Sequence, residues 1–225
     1  MAIWRASEEI IAKGTRIAAE ALEAAEADIH FADGSFVVAG TDRSVALLDV
    51  AAIARDKGTP LDTYHAWTRE WMTFPNGAHV VEVEIDRDTG QVALARYTSV
   101  DDYGVLVNPM IAAGQAHGAI AQGVGQALLE HAAYDPASGQ LVAGSLMDYA
   151  LPRADDLPAY DLGFSGTRCT TNPLGVKGCG EAGAVGAFPA VMNAILDALA
   201  PLGVTDLAGP ATAERICRAI RGRPS

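Results

Sequence analysis

Cysteine is scarce and unpatterned in this chain of 225 residues. Cys169, Cys179 and Cys217 are odd in number and far apart, with no Cys-X-X-Cys pair. That spacing excludes a disulfide framework and a four-cysteine iron–sulfur site, so free thiols are expected. Basic residues are also few. The 16 Lys and Arg stand against 28 Asp and Glu, for a formal net charge of −12. A nucleic-acid partner needs a clustered basic face that this balance does not supply. No apolar run reaches the roughly 18 residues that span a bilayer, and the first residues lack the charged start and apolar core of a signal peptide. The expectation is a cytoplasmic protein with no membrane span and no nucleic acid bound. Internal repeats and low-complexity tracts are missing too.

What is present is material for a core. Hydrophobic residues make up 50% of the chain, enough for one domain or two small ones, and a single compact unit is expected. Ile10, Gly14, Ile17, Ala18, Ala21, Leu22 and Ala25 recur at helical spacing, predicting a helix from about Ser7 to Ala25 with Glu8 and Glu9 in its first turn. Asp33-Gly34 predicts a hairpin turn between Ile29 to Phe31 and Phe36 to Val38. His30 on that hairpin reads as a surface residue. Asp49 is expected to cap a short helix ending at Ala54. Ala78 to Ile85 alternates, Asp86 to Gly90 turns, and Val92 to Val100 returns, which predicts a long hairpin exposed on one face. Trp67, Trp71 and Phe74 ahead of it read as core aromatics or as the lining of a pocket or an interface. Asp101-Asp102 reads as a turn or cap, with no metal.

A helix predicted between Ile111 and Glu130 carries Gly114, Gly118, Gly123 and Gly125, each costing about 1 kcal/mol relative to Ala in a helix interior. Something must offset that cost. Small residues at 114 and 118 let a backbone or a planar ligand come close, while Gln115 and Gln122 share a face and offer amide hydrogen bonds. Tight packing with outward-facing glutamines is the structural alternative. His117 and His131 lack ligand partners and read as structural or surface groups. Asp135 to Gly139 forms a turn, Ala159 to Phe164 a strand, and Pro189 suits the first position of an apolar helix through Leu199. A last helix, roughly Thr212 to Arg221, precedes a basic tail. The fold class is α+β, antiparallel hairpins with packed helices.

The densest chemical signal is Gly175 to Ala187, which sets one carboxylate, Glu181, among glycines and small apolar residues with only Lys177 as a local opposite charge. Burial in such a setting would raise a carboxyl pKa toward the range of a general base. Glycines at 178 and 180 let the backbone approach an anionic cofactor closely. A first-turn acid favoured by a helix dipole is the structural alternative.

Lys177-Gly178-Cys179-Gly180-Glu181-Ala182-Gly183, followed by Phe188-Pro189-Ala190-Val191, resembles the C-terminal active-site segment of the molybdopterin-binding large subunits of the xanthine dehydrogenase, aldehyde oxidase and aerobic carbon monoxide dehydrogenase family. Two further blocks agree in order and spacing. One runs from Asn108-Pro109 through Gly114-Gln115 and Gly118-Ala119 to Gln122-Gly123-Val124-Gly125-Gln126. The other is His79 to Asp86 with Thr89-Gly90 and Val100-Asp101-Asp102-Tyr103-Gly104. The resemblance implies the C-terminal part of a molybdenum-hydroxylase large subunit, with Glu181 as general base and Gln115, Lys177, Gly178, Cys179 and Gly180 at the cofactor. It implies a molybdenum–molybdopterin cofactor, the cytosine dinucleotide form among its variants, acting with iron–sulfur clusters and FAD on partner chains. The expected partners are the other part of the molybdenum subunit, the iron–sulfur and flavin subunits, and a small-molecule substrate. The upstream glycine-rich pterin segment of that family is not found here. A non-catalytic assembly or small-ligand-binding domain that keeps the fold is the competing functional class.

Overall fold

The structure, a computed structural model, describes residues 1–222. The basic tail expected after the last helix falls mostly outside them. The chain is divided into two compact units, Met1 to Glu70 and the remainder from Trp71.

The first unit pairs helix α1 (Ala2–Ala21) and helix α2 (Leu47–Asp56) with a three-stranded antiparallel sheet: β1 (Ile29–Ala32), β2 (Ser35–Val38) and β3 (Ser44–Ala46). Ala32 faces Ser35, so Asp33-Gly34 is a two-residue hairpin turn. Both residues have positive φ, 48° and 77°, the geometry that Asp-Gly tolerates and that matches strand twist. Helix α1 begins and ends earlier than its periodicity predicts, which places Glu8 and Glu9 in the second turn, where they meet Arg5 and Lys13. Asp49 lies inside the first turn of α2 and does not cap it; Ala46 holds that position without a side-chain bond. Phe36, Ile17, Val50 and Leu61 close the core. Trp67 is 41% exposed and not part of it.

The second unit carries the hairpin β4 (Asn76–Ile85) and β5 (Val92–Asp102), antiparallel with a register shift at Glu82/Val83. Alternate residues of β4 are shielded and exposed, as predicted. A third strand, β6 (Tyr160–Phe164), joins β5 in parallel, where only antiparallel pairing was expected. Helix α4 (Ala182–Leu199) packs on β4, and α3 (Pro109–Leu128) packs on α4. Ile120, Val124, Ala187, Val191, Ile195 and Leu199 fill the space between, with Ile216 of the short α5 (Ala213–Ile220).

Two local rules shape these helices. Asn108 caps α3 by accepting the Ile111 N–H at 3.1 Å, and Pro109 takes the first position, where no N–H is needed. Helix α4 begins seven residues earlier than Pro189 suggests, leaving the proline in its interior. It extends through a short turn to Leu202, long and apolar enough by composition to cross a membrane, although the sequence reading found no such run. One face of it is nevertheless packed against α3 and β4, the situation of a core helix. Trp71 and Phe74 are 69% and 73% exposed, so neither belongs to the core.

Candidate functional site

The register of α3 on α4 builds the site. Gly183 lies against Ala119, and Gly123 against Ala187, where added Cβ atoms would approach the neighbouring ones to 2.8 and 2.6 Å. Both contacts advance four residues per turn in the same direction, so the two helices run parallel and level. Continuing that step toward the N-termini brings Gln115 beside the loop that precedes α4. Gln115 Oε1 is 3.7 Å from the place a Cβ on Gly180 would take. Helix α3 thus projects beyond the start of α4, with Gly114, Gly118 and Gln115 on its surface and no atom within 4 Å of an added Cβ at either glycine. The close packing predicted for the α3 glycines occurs at Gly123 and Gly125, and Gly114 and Gly118 face open space.

Glu181 is the N-cap residue of α4. Its side chain is exposed and makes no hydrogen bond or ion pair among the described residues, which corrects the expectation of burial among apolar groups. It does not cap its own helix either. The first-turn N–H groups of α4 lie beside it, unsatisfied within the helix as in any α-helix. The carboxylate therefore stands at the mouth of the loop, available to a ligand.

The loop is held from behind. Lys177 donates its backbone N–H to Tyr103 O at 2.9 Å, and Val105 N–H reaches Gly175 O at 2.9 Å, a two-residue antiparallel bridge to the chain just past β5. Gly104, with φ +67°, lies so close to Gly175 O that no side chain would fit there. Asn172 grips Val176 on both sides, accepting its N–H at 3.1 Å and donating to its carbonyl at 2.9 Å. Thr73 Oγ1 accepts the Gly178 N–H at 3.2 Å.

Asp102 is the hub. It accepts Gly104 N–H at 2.8 Å, Thr167 N–H at 3.1 Å, the Thr167 hydroxyl, and Lys177 Nζ at 2.6 Å. The side chains of Lys177 and Asp102 are only 11% and 8% exposed. The ammonium of Lys177, followed by the Thr167 and Gly104 donors, holds the Asp102 carboxyl well below the usual carboxylate range. Lys177 is thus paired with Asp102, and the local opposite charge is turned away from Glu181. Asp101 beside it is 2% exposed and faces His79 and Ser99. The pair is therefore a buried anchoring network and not merely a turn. Tyr103, also buried, has a hydroxyl without a hydrogen-bond partner. Burial first, then the neighbouring Asp101, pushes its pKa up, so it remains a phenol.

The three cysteines are free, Cys169 buried and the other two partly so. His117 bonds Ala113 O, and His30 is exposed. Among the described residues, no three His, Cys, Asp or Glu side chains group as metal ligands. An open groove lined by Ile85, Val92, Leu128, Leu157 and Ala211 lies at the turn end of the β4–β5 hairpin, one strand length from Asp102, roughly 30 Å.

A glycine loop, one free carboxylate and an overhanging amide-bearing helix thus meet at one open edge of the second unit. Residues 1–158 match the model of the molybdopterin cofactor-binding domain, and the chain belongs to that family. It is 38% identical over 227 residues to the nicotine 6-hydroxylase large subunit of Paenarthrobacter nicotinovorans, covering 97% of this chain and 28% of that protein. It is 34% identical to the carbon monoxide dehydrogenase large chain of Hydrogenophaga pseudoflava, covering 98% and 28%. The quinoline 2-oxidoreductase structure from Pseudomonas putida 86 superposes with a TM-score of 0.86 at 37% identity, over 98% of this chain and 29% of that one. The Cu,Mo-CO dehydrogenase structure follows at 0.83 and 31%, over 96% and 28%. The chain thus spans under a third of these relatives. The mixed α+β fold and the family resemblance read from the sequence both hold.

Proposed function

We propose that this chain is the C-terminal part of the molybdenum subunit of a hydroxylase that oxidises a carbon centre with water as the oxygen source, Glu181 serving as general base. The observation that carries the reading is the exposed, unpaired Glu181 carboxylate at the N-cap of α4, level with the Gln115 amide. The site fits an anionic, oxygen-rich pterin cofactor. Open space at Gly114, Gly118 and Gly178 leaves room for a planar group. Gln115 would hold the cofactor through its amide, with Cys179 and Gly180 supplying backbone at the loop. Lys177 would contribute by fixing that backbone, because its ammonium is already bound to Asp102.

When bound, the molybdenum cofactor supplies the two-electron redox chemistry. Glu181 removes a proton from the water-derived oxygen that attacks the substrate carbon. The helix start positions that carboxylate, and the rigid loop behind it limits its wandering. The remaining part of the molybdenum subunit, with iron–sulfur and flavin chains, would complete the enzyme. Aldehydes, N-heterocycles or carbon monoxide are its candidate substrates.

Glu181→Gln tests the proposal in the assembled enzyme. The substitution preserves shape and removes the base, so turnover should fall by about 10²- to 10⁴-fold. Molybdenum content and melting temperature should be unchanged, since the side chain has no partner to lose. Near-normal turnover with full metal content would return Glu181 to a helix-start acid. A stable complex free of metal would favour a binding module.

A further inference from the structure

Five residues into α4, the helix meets a buried imidazole. His79 projects from β4 with its side chain 5% exposed. Its Nε2 is 3.2 Å from Asp101 Oδ1, and its Nδ1 is 2.6 Å from the Tyr97 hydroxyl. Each ring nitrogen thus has one hydrogen-bond partner, Asp101 at Nε2 and the Tyr97 hydroxyl at Nδ1. Burial first, with Tyr160 and Asp101 nearby, pushes the Tyr97 pKa up, so its hydroxyl keeps its proton. Asp101 is held in turn by the Ser99 hydroxyl at 3.2 Å. Both ring nitrogens are therefore tied, and the imidazole cannot turn.

The ring lies flat on Gly186. A Cβ at that position would stand 2.7 Å from Cε1 and Nε2 and 2.8 Å from Nδ1. Three ring atoms at nearly one distance mean a face-on contact, and only glycine accommodates it. Gly186 and Glu181 are on one rigid helix, about 7.5 Å apart along the axis. Nothing flexible lies between them. A shift of the ring is therefore passed to the Glu181 backbone, from which the carboxylate is placed.

We infer that His79 is a positioning residue for Glu181, setting the height of the first turns of α4 above the sheet through Gly186. The inference rests on the reading of Glu181 as the base. Displacement of a base by about 1 Å can cost a hundredfold in rate, whereas a purely structural histidine would affect stability alone.

The test uses the assembled enzyme with three variants, His79→Ala, Gly186→Ala and the double substitution. Each single variant should lower kcat at least tenfold per bound molybdenum with a smaller change in KM. Hydrogen exchange should accelerate at residues 178–187 and not through β4 and β5 at large. The double variant, with the ring removed and a methyl in its place, should recover most of the lost kcat. Gly186→Ala removes no buried polar group and favours a helix, and its methyl pressed on the ring displaces α4 with His79 still present, so it remains informative if His79→Ala fails to fold. Turnover within twofold of the parent, uniformly raised exchange, or no recovery in the double variant would overturn the inference. If Glu181→Gln itself leaves turnover intact, the base reading fails, while exchange at 178–187 and its reversal in the double variant still judge the placement of α4 by His79.

Discussion

Asp102 collects four donors from three places in the chain, and its carboxyl titrates below the ordinary value of 3.8 because the ionised form is the one they bind, Lys177 first. The sign follows from that direction. A folded-state pKa below the unfolded one adds stability that is present above the unfolded value and is lost as pH falls through the folded one. Asp102→Asn keeps the shape and leaves the Lys177 ammonium, 11% exposed, without its anion. Its melting temperature should be several degrees lower at pH 7, and the gap should narrow progressively as pH falls from about 4 toward the depressed folded value, because the unfolded chain's carboxylate takes up its proton first. A gap that is constant from pH 7 to pH 3 would remove Asp102 as an ionic anchor. Sequence alone could not expose this residue's role. The doublet 101–102 was visible, but Thr167 and Lys177 lie 65 and 75 positions further on, and only the bridge after β5 brings them back.

At the scale of elements, the legible parts are those governed by neighbours in sequence. The Asp33-Gly34 turn needs two positive φ values, and the β4–β5 alternation needs one buried face; both are local requirements. The start of α4 was missed because Pro189 signals a helix end or a first turn, and burial of Ala187 and Val191 overrode that signal. The parallel coupling of α3 to α4 was likewise hidden, since all the α3 glycines look alike until a neighbour is placed. Their difference is measurable. Gly123→Ala meets Ala187 and the Ala184 carbonyl and should destabilise this chain by about 1 to 3 kcal/mol in denaturant unfolding. Gly114→Ala and Gly118→Ala meet nothing and should stabilise it by up to about 1 kcal/mol. In the complete enzyme the same two methyls should lower molybdenum retention, if that face receives the cofactor. Equal effects at all three positions would contradict the register described.

At the scale of the molecule, the second unit leaves Val107, Met110, Leu146 and Met147 exposed at 80%, 78%, 76% and 93%. Met110 is on the first turn of the projecting α3, and Val185, 72% exposed, is on the first turn of α4. Exposed apolar side chains, two of them on the helix starts beside the candidate site, fit a surface completed by further protein. The chain purified alone should therefore hold no molybdopterin, oxidise no substrate and self-associate on gel filtration. A monodisperse monomer with bound molybdenum and turnover would refute that dependence. The anchoring set of Asp102, Thr167, Asn172 and His79 has a different consequence. All of it lies behind the loop, and none of it includes the outward residues Gln115, Gln122, Met110 or Val185. Substitutions at Gln122, Met110 or Val185 would thus alter the outer surface without loosening the loop that carries Glu181. The same frame recurs in relatives named for compounds as unlike as nicotine, quinoline and carbon monoxide, so an inner anchorage is kept while the outer face is free to differ.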